Sequence, residues 1–243
     1  MVVRFKETEI NGDRVFVPVV NGHFLSGMVK LHYEQCITLD QYRFFEVAKS
    51  GMTILDIGAS VGMAALQLVK LGVENIFSFE PNPIDRIALT ALSHCFSQIS
   101  VIDKAVFDRS GTIKMNVNKG IGGTQIIPND DSDGLNTFID RSDALKTSIE
   151  VETVTVDEFV KRNSLKIDVI KMDTEGCEKR VLTGAKETIR RDGPILLMSA
   201  YHRFEDPIVL PEVVRQIDSR YDVSEMLPID EGREPVLRMK VEK

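Results

Sequence analysis

Two short stretches concentrate the residues whose types and spacing could do chemistry. Residues 168–178 read DVIKMDTEGCE and residues 55–62 read LDIGASVG. In the first, an apolar strand enters with Val169 and Ile170, and Asp173 follows near its carboxyl end. In open α/β sheets the ligand crevice lies outside those ends. Lys171 and Asp173 are two apart and share one face of a strand, so Lys171 can orient or neutralise Asp173. Glu175, Gly176 and Glu178 then turn into a helix. An acid in a first helical turn suits the helix dipole, which accounts for Glu178 and leaves Asp173 and Glu175 as the functional candidates. His202, in LLMSAYHRFED, follows the next apolar strand and should reach the same edge. A histidine there is a natural base near neutral pH. These groups could align a hydroxyl and accept its proton. Asp173, Glu175 and His202 could also share a divalent cation, but the spacing follows no dedicated metal motif and no metal is assigned.

The second stretch is an apolar run, an acid, a glycine-rich turn and then MAALQLVKLG. That order is strand, turn, helix, and such a turn holds a cofactor. A dinucleotide would place its pyrophosphate there, and S-adenosylmethionine its methionine end. The dinucleotide fingerprint is G-x-G-x-x-G. Counting from Gly58, the second position is Ser60 and the third is Met63, so two of three glycines are missing. Asp56 would oppose a pyrophosphate and favour an ammonium, directly or through water, by roughly 1.5–3 kcal/mol. Gly58, Ala59, Ser60 and Gly62 are thus read as seating a methionine moiety. Glu80 ends the next strand, about 22 residues after Gly58, where a carboxylate can accept from both ribose hydroxyls. That role serves adenosine in either cofactor. Pro81 and Asn82 continue this corner, and Asp103 and Ala105, after the third strand, lie where an adenine edge would pass.

Positioning these groups requires an alternation of strands and helices. TILDI, NIFSFE and ISVID are read as strands. VGMAALQLVKLG and NPIDRIALTALSHCF are helices, the second with Asn82 as N-cap, Pro83 at its first position, and Ile84, Ile87, Ala88, Ala91, Leu92 and Cys95 on its apolar face. KIDVIKMD and GPILLMSAY are further strands, CEKRVLTGAKETIRR one helix, and LPEVVRQIDSR a helix started by Pro211. The result is an α/β fold, a doubly wound and mostly parallel sheet, with YDVSEML and EPVLRMKVE closing it and an antiparallel C-terminal strand. Residues of about 105–155 read as a β-rich antiparallel insertion. Residues 1–49 form a cover: a hairpin turning at Asn11-Gly12, then a helix from about 38 to 49 with Thr38 and Gln41 at capping-box spacing. NDDSDG at 129–134 is read as a solvated loop. One domain over 1–243 is expected.

The chain has 243 residues, a hydrophobic fraction of 43% and a net charge of −7. Those values favour a sizeable core and argue against a broad basic surface for nucleic acid. Cys36, Cys95 and Cys177 form no CxxC pair, which suggests a reducing compartment. With no signal-peptide core and no apolar run of spanning length, a cytoplasmic protein away from the membrane is expected.

In this order, LDIGASVGMAALQLVKLG, FSFEPNP, VETVTVDEF, IDVIKMDTEGCEKRVLTGA and LLMSAYH resemble the FkbM-type methyltransferases over roughly residues 50–205. The most specific part is the run from Ile170 to Glu178 together with Glu80-Pro81-Asn82-Pro83. The resemblance implies a Rossmann-like methyltransferase fold, S-adenosylmethionine as cofactor and transfer to a hydroxyl of a sugar-containing or secondary-metabolite acceptor. It puts Asp56, Gly58, Gly62 and Glu80 on the cofactor motifs, and Asp173 and Glu175 on the acidic motif beside the transfer site. Ser60 stands where the family commonly has asparagine, and the tail EMLPIDEGREPVLRMK departs from the family's ending. Two other readings compete: a NAD-dependent oxidoreductase, and a protein of the same fold that binds the cofactor without turnover.

Overall fold

The computed structural model describes residues 3–20, 23–24, 26–117, 125–127, 147–227 and 234–241. Its centre is a seven-stranded sheet in the order β13-β14-β12-β11-β4-β5-β6. The inner strands β4 (Thr53–Ile57), β11 (Val169–Met172) and β12 (Ile195–Ser199) are nearly continuous runs of buried residues, as expected for strands covered on both faces. They run parallel with one another and with β5 (Asn75–Phe79) and β6 (Ile99–Ile102). β14 (Val236–Val241) is antiparallel to both β12 and β13 (Tyr221–Leu227). The expected antiparallel C-terminal strand is therefore present, wedged between two strands that precede it in sequence.

Two apolar layers flank this sheet. α3 (Met63–Lys70) and α4 (Pro83–Ser93) pack on one face, together with residues of the N-terminal cover. α5 (Val156–Arg162), α6 (Glu178–Thr183), α7 (Lys186–Asp192) and α8 (Asp206–Ile217) pack on the other. From β4 the chain winds outward to β5 and β6; from β11 it winds the opposite way to β12. β4 and β11 are neighbours at this reversal, where a doubly wound sheet opens its crevice. Their register sets Lys171 beside Asp56.

The hairpin is as read: β1 (Val3–Ile10) pairs with β2 (Asp13–Val20) across Asn11 and Gly12, both at positive φ. The helix expected over 38–49 is not formed. Its place is taken by α1 (Ser26–Tyr33), a π-helical turn at Glu34–Thr38, and a single turn α2 (Phe44–Val47). Asp40 is the reason. Its carboxylate accepts from the Phe44 and Phe45 amides and from Gln67 Nε2, so it starts α2 and ties it to α3. Thr38 and Gln41 make no capping box.

Two further helices differ from their sequence patterns. The stretch 177–191 breaks into α6 and α7 at Gly184, where a Cβ would stand 2.3 Å from the Phe107 carbonyl oxygen. The chain comes too close to the insertion to continue one helix. α8 begins at Asp206, with Pro207 in its first turn and Pro211 inside it, rather than starting at Pro211. Cys95 is exposed rather than on the apolar face of α4. The insertion contains β7 (Ala105–Val106), β8 (Gly111–Val117), β9 (Gln125–Ile127) and β10 (Thr147–Val154), in the order β7-β10-β8-β9. It is antiparallel except where β10 runs parallel to β7. β3 (His23–Phe24) pairs with β2. Residues 129–134 lie outside the described residues.

Candidate active site

The two motifs meet at Gly58. Its φ is +74°, and a Cβ there would stand 1.8 Å from the Asp173 carbonyl oxygen. Only glycine lets the turn after β4 cross the end of β11 at this distance. The Asp173 amide in turn bonds the Ile57 carbonyl at 3.0 Å.

The turn itself is closed by its own bonds. The amides of Gly58 and Ala59 donate to the Phe79 carbonyl, and the Gly62 amide donates to Ala59. The Ser60 amide donates to Glu80 Oε2 at 2.7 Å. Four amides that could cradle a pyrophosphate are already committed. Glu80 is buried, and its other oxygen accepts from the Asn82 amide at 2.7 Å. Burial pushes this carboxyl up to about 7, with the two amides opposing the shift. Asn82 caps α4 through the Ile84 amide.

A cavity of about 290 Å³ opens over this turn. Gly58, Ala59, Ser60, Glu80, Lys171, Asp173 and Glu175 line it from the two motifs. A second, smaller hollow of about 60 Å³ adjoins it across Gly58, Glu80, Asp173 and Glu175, with Pro81, Ala105, Val106 and Met115 on its walls. Asp103 is exposed and lines neither; only Ala105 of the pair after β6 faces a hollow.

Asp56 also differs from expectation. It is fully buried, and the Lys171 ammonium stands 3.0 Å from its Oδ1. Lys171 donates as well to the Gly58 carbonyl at 2.8 Å. Asp56 is thus paired from the next strand and does not line the cavity, and Lys171 contacts Asp56 directly while its charge also acts on Asp173.

On the far side, Asp173 accepts from Tyr42 Oη at 2.8 Å and from Tyr201 Oη at 3.3 Å. Burial alone would raise its carboxyl; Lys171, then His202 and Tyr42, outweigh that and hold it below the usual range. His202 Nε2 lies 3.4 Å from Asp173 and 3.6 Å from Glu175, and Nδ1 lies 3.0 Å from Glu178. Burial pushes the imidazole down, but Glu178, Asp173 and Glu175 prevail and raise it to about 9. His202 is therefore an imidazolium at neutral pH, not a free base. Asp173, Glu178 and His202 have donor atoms within 4.8 Å of one another. Glu178 does begin α6 and accepts from the Thr174 amide at 2.8 Å, yet it also holds His202. Glu175 is exposed at the cavity edge, at φ 54°.

The cover supplies groups that sequence spacing did not flag. His32, Gln35, Cys36, Gln41 and Tyr42 all line the cavity. Gln35 and Cys36 are carried there by the π-helical turn, a device often found at functional sites. Tyr42 lies 131 residues from Asp173 in sequence, and no local signal links them. His94 is exposed.

This sheet order, with its last strand inserted antiparallel and a buried acid closing β5 beside a glycine turn, is that of the Rossmann-like methyltransferases. Residues 56–227 match the methyltransferase FkbM domain, and the chain belongs to that family. It is 28% identical over 159 residues to the 2-O-methyltransferase NoeI of Sinorhizobium fredii, covering 59% of this chain and 61% of that protein. The crystal structure of methyltransferase FkbM from Methylobacillus flagellatus KT matches with a TM-score of 0.57 at 19% identity, over 87% of this chain and 53% of that one. The T. thermophilus 16S rRNA N2 G1207 methyltransferase RsmC, solved with AdoMet and guanosine, matches with a TM-score of 0.52 at 12% identity, over 100% of this chain and 51% of that one. The chain thus spans about three fifths of NoeI and about half of each of these two solved chains. Among the described residues no helix is long and apolar enough to cross a membrane.

Proposed function

We propose that this protein is an S-adenosylmethionine-dependent O-methyltransferase acting on a hydroxyl of a sugar-containing or secondary-metabolite acceptor. The observation that carries the reading is the turn at 58–62. Four of its amides are committed internally while Glu80 and Asp173 line the same cavity. Such a cleft disfavours a pyrophosphate, which needs open amides, and suits a nucleoside that carries positive charge. S-adenosylmethionine, when bound, supplies a methyl group already activated on a sulfonium. The family match and the AdoMet bound by RsmC support the same cofactor.

Within this reading, Glu80 keeps lone pairs available to both ribose hydroxyls. Ala105, Val106 and Met115 offer an apolar wall to the base. Asp173, fixed by two tyrosines and His202, accepts a hydrogen bond from the acceptor hydroxyl and aligns its oxygen. Glu175, beside it and open to water, takes the proton. His202 keeps Asp173 ionised rather than acting as the base. Residues 31–42 of the cover close the cavity as part of one catalytic unit, with Tyr42 as its point of attachment to Asp173.

NoeI is a 2-O-methyltransferase, which favours an oxygen acceptor, and the net charge of −7 disfavours a polyphosphate acceptor. Transfer of labelled methyl groups to a panel of free and lipid-linked sugars, polyketide alcohols and ribosomal RNA fragments tests this. Label on a sugar or polyketide hydroxyl is expected. Label on RNA alone would contradict the acceptor class.

A further inference from the structure

The lysine between the two motifs is placed in an unusual way. A cofactor's free ammonium would look for a buried carboxylate and a carbonyl oxygen at the mouth of β4. Asp56 and the Gly58 carbonyl are those groups. Lys171 already takes both, at 3.0 Å and 2.8 Å. It is itself 3% exposed, and its ammonium stands 5.2 Å from the centre of the Tyr42 ring. The register that sets Lys171 beside Asp56 makes this a property of the fold rather than of a flexible side chain. An ammonium has three donors. One is donated to the Gly58 carbonyl and the ammonium pairs with Asp56 Oδ1, and among the described residues no further oxygen lies in hydrogen-bond reach of it. Lys171 lines the cavity together with Ala59, Ser60 and Tyr42.

We propose that Lys171 is a built-in ammonium that fills the seat for the cofactor's amino group and turns its remaining N–H to the cofactor's carboxylate. The methionine end is then recognised through its negative group, not its positive one. The inference rests on S-adenosylmethionine being the cofactor. It concerns only how the amino-acid end is read.

The test is calorimetric titration of the whole protein with three probes. They are S-adenosylhomocysteine, its analogue lacking the amino group and its analogue lacking the carboxylate. A charge-assisted bond to the carboxylate corresponds to about 10- to 100-fold in affinity. The wild-type protein is expected to bind the deaminated analogue within about 3-fold of S-adenosylhomocysteine and the decarboxylated one at least 10-fold more weakly. Lys171→Met should invert this order, because Asp56 then faces the amino group. If that variant does not fold, the pair Asp56→Asn with Lys171→Met removes both charges and should leave the two analogues nearly equal. Wild-type protein that tolerates loss of the carboxylate but not of the amino group would overturn the assignment, whatever the variants do. Failure of all three probes to bind would instead overturn the cofactor reading on which it stands.

Discussion

The two sides of the cleft each present a carboxylate at the end of a buried parallel strand, and they hold it in opposite ways. Glu80 is gripped by backbone: the amides of Ser60 and Asn82 each take one oxygen. Asp173 is gripped by side chains: Tyr42, Tyr201 and His202, with Lys171 nearby. The two amides, with smaller help from the charges of Lys171 and Arg86, do not offset the burial of Glu80, so its carboxyl rises to about 7. Charges more than offset the burial of Asp173, so its carboxyl falls below the usual range. A backbone grip fixes geometry and leaves the proton free to respond to a ligand. A charged grip fixes the protonation state. The first suits binding of a nucleoside, the second suits steady orientation of a reacting hydroxyl.

The comparison breaks most severely where the two sides touch. Gly58→Ala forces a Cβ against the Asp173 carbonyl at positive φ, and should lower stability by roughly 3–5 kcal/mol in urea unfolding, with both sides damaged together. Single-side variants should separate. Asp173→Asn is expected to slow methyl transfer by about 10²- to 10³-fold while leaving S-adenosylhomocysteine affinity within about 3-fold. Glu80→Ala should weaken that affinity by about 10- to 100-fold. Equal loss of affinity in both variants would erase the division of labour.

Titration sharpens the contrast. For His202, raised from an ordinary 6.5 to about 9, protonation favours the folded state. Its contribution is complete below about pH 6.5 and is lost as pH rises through about 9, up to about 3 kcal/mol in all. Urea midpoints should fall over that window in the wild type and fall less in His202→Gln. Glu80 acts on binding instead. Ribose hydroxyls donate to the ionised form, so S-adenosylhomocysteine affinity should rise as pH increases through about 7, and Glu80→Gln should flatten that rise. The smallest effect concerns Ser60, a non-glycine residue at φ 48°. Asparagine tolerates that region better, and Ser60→Asn should add about 0.5 kcal/mol of stability or less.

The same division decided what was legible in the sequence. The sheet, its winding and the glycine turn announce themselves through local signals: apolar runs, a capped helix at Asn82-Pro83, glycines where backbone must turn. The register of Asp56 with Lys171 and the closeness of Asp173 to Gly58 arise from neighbouring strands far apart in the chain, and spacing alone shows the influence of Lys171 on Asp173 but not its contact with Asp56. In the cover, Asp40, a single side chain bonded to Gln67 on α3, overrides the capping-box spacing of Thr38 and Gln41. The protonation of His202 is not legible from its place after β12, because its partners Glu178, Glu175 and Asp173 come together only in the fold.

The central claim is that the turn at 58–62 with Glu80 receives S-adenosylmethionine. Calorimetric titration of the protein with S-adenosylhomocysteine, with NAD as the parallel ligand, tests it most directly. The account predicts micromolar binding of S-adenosylhomocysteine and none of NAD. Binding of NAD, or of neither ligand, would contradict it.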